Sequence, residues 1–267
     1  MNAKKIAPST TSAWTIESLL LSHGEFHLSA YVAEPAHPGP RSRQLMHVIE
    51  HAESQLRGEL SDLELQKFLA PLRQFEEDAS TFAGFENAAT LALFRTKGAF
   101  RVLALPVDVR PLWTVASSFH VKPLLKWRQH ERGERAWFED CLLEEWQLWE
   151  KQGQIKSNLF QITRAATRGD VRHLVVAEDR HIFGHIDETQ GGLSLHPCDL
   201  NAYDDDILDD LAQLVLRSGG QVSVRPQAEI PGARTALAFV RSPRRGRMRW
   251  QRELSRRLAD GEYRATS

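Results

Sequence analysis

A chain of 267 residues is long enough for one large domain or two small ones, and a 42% hydrophobic content suits a packed core. A net charge of −1 gives the whole molecule no bias toward nucleic acid or membrane, and Cys141 and Cys198, far apart and without CxxC spacing, argue against a disulfide framework or a structural zinc site. No apolar run approaches the roughly 20 residues that span a bilayer, and none follows the lysines of MNAKK, so the expected location is the cytoplasm.

TIESLLLSHG reads as a helix with Thr15 as N-cap and Gly24 just past its end. FHLSAYVAE alternates Phe26, Leu28, Ala30 and Val32 on one face and reads as a strand. After the Pro/Gly loop EPAHPGPRS, RQLMHVIEHAESQL sets Leu45, Val48, Ile49, Ala52 and Leu56 at helical spacing. A second helix starts at Ser61, with Glu64 completing a capping box and Pro71 ending or kinking it. ATLALFRT, AFRVLALPV and WTVASSF read as strands.

ERAWFEDCLLEEWQLWEKQG carries Trp, Leu and Glu at helical spacing, and QIKSNLFQITRAATRGD reads as a further helix stopping at Gly169. Two strands follow, VRHLVVAE and HIFGHID, then a polar turn at TQGG and an acidic loop. DDILDDLAQLVLRSGG is an amphipathic helix with Ile207, Leu208, Leu211, Leu214 and Val215 as its apolar stripe. QVSVRP and TALAFVR are the closing strands. The expectation is an α+β domain over residues 1–127, then an α/β three-layer domain over 128–241 led by the Trp-rich helix, then a basic tail over 242–267. The first boundary falls in KWRQHERGER, a linker or the start of a connecting helix.

The triplet Gly219–Gly220–Gln221 raises a catalytic question, because a Gly-Gly-Gln tip carries peptide release in translation. Directly after a helix and before a strand, both glycines have a structural role: a left-handed cap and a tight turn. Gln221 then opens a strand, facing solvent. No long exposed loop brackets the triplet, so the turn is the stronger reading and a hydrolytic tip the weaker.

Four blocks, in order, carry a family resemblance over most of Phe26 to Arg241. FHLSAYVAEP with its Pro-rich loop and the helix RQLMHVIEHAESQL resembles the opening of the bacterial archaeo-eukaryotic release factor family. LALFRTKGAFRVLALPVDVRPLWTVASSFHVKPLL resembles its strand pair and F-H-[IV]-[KR]-P-L-L signature, here Phe119 to Leu125. RGDVRHLVVAEDRHIFGHID resembles a later strand block. DDDILDDLAQLVLRSGGQVSVRP, closing in ALAFVR, resembles the terminal helix, glycine pair and strands. The family is similar to eukaryotic and archaeal release factors and to the rescue protein pelota. The resemblance implies a C-terminal domain like the ribosomal proteins that bind kink-turn RNA, and a translation role. In that scheme Gly219 and Gly220 lie in the C-terminal domain, whereas the hydrolytic triplet of true release factors lies in a middle domain. Relatives continue after P-L-L into a strand-rich middle domain. PLLKWRQHERGERAWFEDCLLEEW instead runs into helices, so that domain reads as missing or reduced to a connector, which argues against peptide-release chemistry.

Other constellations weigh less. His181, His185, His196 and Cys198 suggest a metal site, but in a strand residues four apart stand about 13 Å from each other. Asp204, Asp205, Asp206, Asp209 and Asp210 lack the EF-hand pattern and read as a solvated helix N-terminus, or less readily as a surface for a basic partner or the chain's own tail. His23 and His27 have no nucleophile that sequence can place beside them. No P-loop, G-x-S-x-G or dinucleotide fingerprint is present. Trp137, Phe138, Trp146 and Trp149 read as core or interdomain anchors, with a homodimer face as the alternative. No catalytic residue, metal or cofactor is expected.

The tail is the candidate RNA-binding element. Arg244, Arg245, Arg247, Arg249, Arg252, Arg256 and Arg257 surround Trp250. Arginine forks bind phosphate bidentately and an interleaved Trp stacks on an unpaired base. A solvated tail, or one docked on the acidic loop, is the competing reading. The expected function is a non-catalytic ribosome- or RNA-associated factor in translation, in rescue, quality control or hibernation. The alternatives are a peptidyl-tRNA hydrolase using Gly219–Gln221 and an interaction module without RNA contact.

Overall fold

The computed structural model describes residues 18–19, 22–33, 41–77, 85, 87–131, 146–197 and 205–241. The RNA-binding candidates Arg244 to Arg257, together with Trp137, Cys141, Cys198 and Asp204, lie outside the described residues. So do residues 15–17 and 20–21 of the TIESLLLSHG segment; Ser18 and Leu19 are helical as expected, whereas His23 and Gly24 belong to a strand rather than to the end of that helix.

The first unit is an antiparallel sheet with two helices on one face. Its strands are β1 (His23–Ala33), β2 (Thr90–Arg95), β3 (Phe100–Leu105) and β4 (Leu112–Ser118), in the order β3-β2-β1-β4. The expected alternation along β1 holds. Phe26, Leu28, Ala30 and Val32 pack with α1 (Arg41–Leu56) and α2 (Asp62–Glu77), in a core that includes Leu45, Val48, Phe68 and Leu72. The opposite face of β1 is also buried. His27, Ser29 and Tyr31 turn toward the second unit, and Tyr31 joins Phe94 and Phe119 in a second core.

Pro71 does not end α2, which runs on to Glu77. A proline lacks the N–H that would serve the carbonyl four residues back. That carbonyl, Lys67 O, instead accepts from Arg95 Nη2 at 2.9 Å, and Phe68 O accepts from Arg95 Nε at 2.8 Å. The helix start follows the sequence: Ser61 N and Ser61 Oγ donate to Glu64 Oε2 at 3.2 and 2.7 Å.

The second unit mixes parallel and antiparallel pairing. β5 (Ile155–Lys156), β6 (Val171–Ala177), β10 (Gln221–Arg225) and β11 (Ala236–Val240) form a sheet in the order β10-β6-β11-β5. β6 pairs parallel with β10 and antiparallel with β11. Its near-continuous apolar run is what a strand covered on both faces requires. The described part of the Trp-rich segment is α4 (Trp146–Lys151). QIKS is not helical as expected. Ile155–Lys156 is an edge strand on β11, and the helix α5 begins at Leu159, where the Asn158 side chain accepts from Phe160 N at 3.0 Å. β7 (Phe183–Asp187), β8 (Gly192–Leu195) and β9 (Asp205–Asp206) make a small third sheet, with β9 emerging from the predicted acidic loop.

The last helix, α6 (Ile207–Arg217), packs on β6, β10 and α5. The remaining helix, α3 (Lys122–Glu131), includes residue 127 and lies against β10. There Gln129 Nε2 donates to Val222 O at 3.1 Å and Gln129 Oε1 accepts from Val224 N at 3.1 Å, pairing the open edge of β10. One core cluster runs from Tyr31 and Phe94 through Val121 and Leu124 to Leu174, Val176 and Leu211, so apolar packing is continuous between the two units. The architecture is thus mixed α+β in two sheet-centred units. No helix among the described residues is long and apolar enough to cross a membrane.

Candidate functional site

The signature FHVKPLL sets two polar side chains, His120 and Lys122, in an apolar run between β4 and α3. Both are buried, and buried polar groups need partners. Those partners come from segments distant in sequence, brought together where the two units meet.

Lys122 Nζ forms a close ion pair with Asp206 Oδ2 and donates to Arg180 O at 2.8 Å. The Lys122 side chain is 2% exposed and that of Asp206 6%. Asp206 is also the N-cap of α6. Its Oδ1 accepts from Leu208 N at 3.1 Å and Ile182 N at 3.2 Å, and its Oδ2 lies 3.1 Å from His181 Nδ1. Asp209, one turn on, reaches across to α3. It accepts from Lys122 N at 2.7 Å and Val121 N at 2.9 Å, so a carboxyl of one unit covers a helix N-terminus of the other. Gln213 Nε2 completes the arrangement, donating to Asp209 Oδ2 at 2.9 Å and Phe119 O at 2.7 Å. His120 Nδ1 stands 3.6 Å from Asp209 Oδ1. His120 N donates to Ser29 Oγ at 2.9 Å, and His120 O accepts from Tyr31 Oη at 2.7 Å. Ser117 and Ser118 on β4 donate to Asp205 and Asp210.

Charge in this hub is uneven. Burial and the neighbouring Asp206 push the Asp209 carboxyl up to about 7. Burial, with Asp209 beside it, does the same to Asp205, also to about 7, against the lowering hydrogen bond from Ser117. Asp210 is driven well above the carboxylate range by burial and by Asp205 and Asp209. Burial works against the Asp206 anion too, but the Lys122 ammonium and the His181 hydrogen bond outweigh it and hold its pKa below the ordinary range. Burial and the adjacent Lys122 lower His120 to about 3, so it is a neutral imidazole.

A cavity of about 310 Å³ opens beside these groups, with Trp113 and Thr114 of β4 on one wall and His181, Asp205 and Asp206 on another. His120, His181 and Asp206 each offer a ligating atom, all within 4.8 Å of one another.

This corrects the sequence reading at one point. The acidic run is not a solvated helix N-terminus: Asp205, on β9, and Asp209, beside Leu208 on α6, are 4% and 3% exposed. His181 does not pair with His185 or His196 to form a ligating group among the described residues; it meets His120, which lies far away in sequence. Two signals for the hub stood in the sequence. Polar residues interrupt the apolar run of FHVKPLL, and Gln213 lies four residues beyond Asp209, on the same face of α6.

Gly219 and Gly220 form the turn that the sequence implied. Gly219 has φ +75, and Gly219 N donates to Leu216 O at 3.0 Å while Gly220 N donates to Val215 O at 2.8 Å, the paired bonds of a Schellman cap. Gln221 is exposed and opens β10, in register with His173. Trp146 and Trp149 pack, partly buried, against the larger core, and the Arg234 guanidinium lies 4.7 Å over the Trp146 ring. No protein-family model matches this chain, and no curated protein matches it.

Proposed function

We propose that the protein is a non-catalytic ribosome- or RNA-associated factor in translation, with an RNA-binding C-terminal unit of the kink-turn-binding type. The observation that carries the reading is the arginine-rich stretch Arg244 to Arg257 around Trp250, which follows directly on the last strand of that unit. It is a phosphate- and base-binding composition in a chain whose overall charge is near neutral. The resemblance to release factors and pelota supplies the translation context. The fit of Gly219 and Gly220 to a helix-to-strand turn supports the non-catalytic half of the reading.

The test is co-sedimentation of the full chain with ribosomal particles. Binding is expected near 50 mM salt, with an affinity loss of about 10³-fold or more by about 200 mM if six or more phosphates are contacted. Deletion of residues 242–267 is expected to abolish most of it. Release of peptide from loaded ribosomes, lost in Gln221→Ala, would overturn the reading in favour of a hydrolase. Absence of ribosome or RNA binding at low salt, together with a concentration-dependent mass, would overturn it in favour of a homodimer built on the Trp-rich segment.

A further inference from the structure

We propose that His120, His181 and Asp206 form a binding site for one divalent transition-metal ion of the zinc class, entered through the cavity beside β4. Its ligands include no residue of the Arg-rich tail, and it does not depend on the translation reading.

Three observations converge on it. The first is ligand geometry. Two imidazoles and one carboxylate present ligating atoms within 4.8 Å of one another, from the β4–α3 connection, the segment before β7 and the N-cap of α6. Nitrogen from two histidines with a single carboxylate selects zinc, cobalt or nickel over calcium or magnesium, which take oxygen. His120 is buried, so its ring is held in place by the packing around it.

The second is access. The three groups line a cavity of about 310 Å³, room for a hydrated ion and for water in the coordination positions the protein leaves open. The His181 side chain is 41% exposed and marks the entrance.

The third is charge. Asp205, Asp206, Asp209 and Asp210 line the same cavity, and no lysine or arginine among the described residues does. The one buried ammonium nearby, Lys122, is paired with Asp206. The wall therefore offers further carboxyl oxygens and no lining cation among the described residues to repel an arriving metal ion. Lys122 Nζ has a second acceptor in Arg180 O, so it can yield its place on Asp206 Oδ2 and stay hydrogen-bonded.

The experiment is a titration of the chelator-treated full chain with Co²⁺, followed through the visible d–d absorption of the bound ion, with Zn²⁺ as competitor. The wild-type protein is expected to take up one equivalent, with Zn²⁺ displacing it and Mg²⁺ not. His181→Ala is expected to weaken uptake about 10-fold or more, since even supporting partners of a ligand are worth that much. His185→Ala, on the exposed side of β7, is expected to bind as wild type does. If alanine at 181 prevents folding, His181→Gln serves in its place. Failure of the wild-type chain to produce the absorption band overturns the proposal, as does equal uptake by wild type and the His181 variant.

Discussion

Substituting Gly220 by alanine separates a structural glycine pair from a catalytic one. A Cβ at position 220 would lie 2.5 Å from Val215 Cγ1, 2.8 Å from Val171 O and 3.1 Å from Val215 O. Carbon atoms pack at about 3.5–4.0 Å, so the overlap with Val215 is about 1 Å. Neither neighbour yields easily, because Val215 is fully buried in the core and Val171 O belongs to the central strand. Overpacking of this kind costs about 1–3 kcal/mol, and contact with two backbone carbonyls places Gly220→Ala at the upper end. Gly219→Ala meets nothing within 4 Å but retains φ +75, a conformation that costs an L-residue about 1–2 kcal/mol. Gln221→Ala removes an exposed side chain and should stay within about 0.5 kcal/mol of wild type. Urea denaturation of the three variants is expected to rank them Gly220→Ala, Gly219→Ala, Gln221→Ala in order of lost stability. A Gly220→Ala protein with the wild-type midpoint would refute the packing argument, as would a Gln221→Ala protein less stable than both glycine variants.

Lys122→Met leaves Asp206 buried without its cation and is expected to cost about 3–5 kcal/mol, read as a fall in the urea midpoint. Arg95→Met removes the donors to Lys67 O and Phe68 O and should cost about 2–4 kcal/mol. Adding Pro71→Ala to Arg95→Met supplies the missing helix N–H and should recover about 1 kcal/mol; no recovery in a double-mutant cycle would show that Arg95 is not replacing that bond. Gln129→Ala opens the edge of β10 and is expected to cost about 1–2 kcal/mol and to raise the tendency to aggregate, measured by light scattering.

The local elements were largely written in the chain. The two faces of β1, the capping box at Ser61, the apolar stripe of α6 and the glycine turn after it all follow from side-chain period and backbone preference, which act over a few residues. Tertiary context decided the rest. Pro71 sits inside a continuous helix because Arg95, on a strand, supplies a donor that no residue near the proline could. Ile155 and Lys156 are extended because β11 offers them an edge. The acidic run reads as solvated in isolation, since a string of aspartates signals exposure. It is buried because Lys122 and the α3 N-terminus, from a distant block, meet it there. Periodicity fixes which face of an element turns inward, while the partner that makes a buried charge tolerable is chosen only when two distant segments are packed against each other.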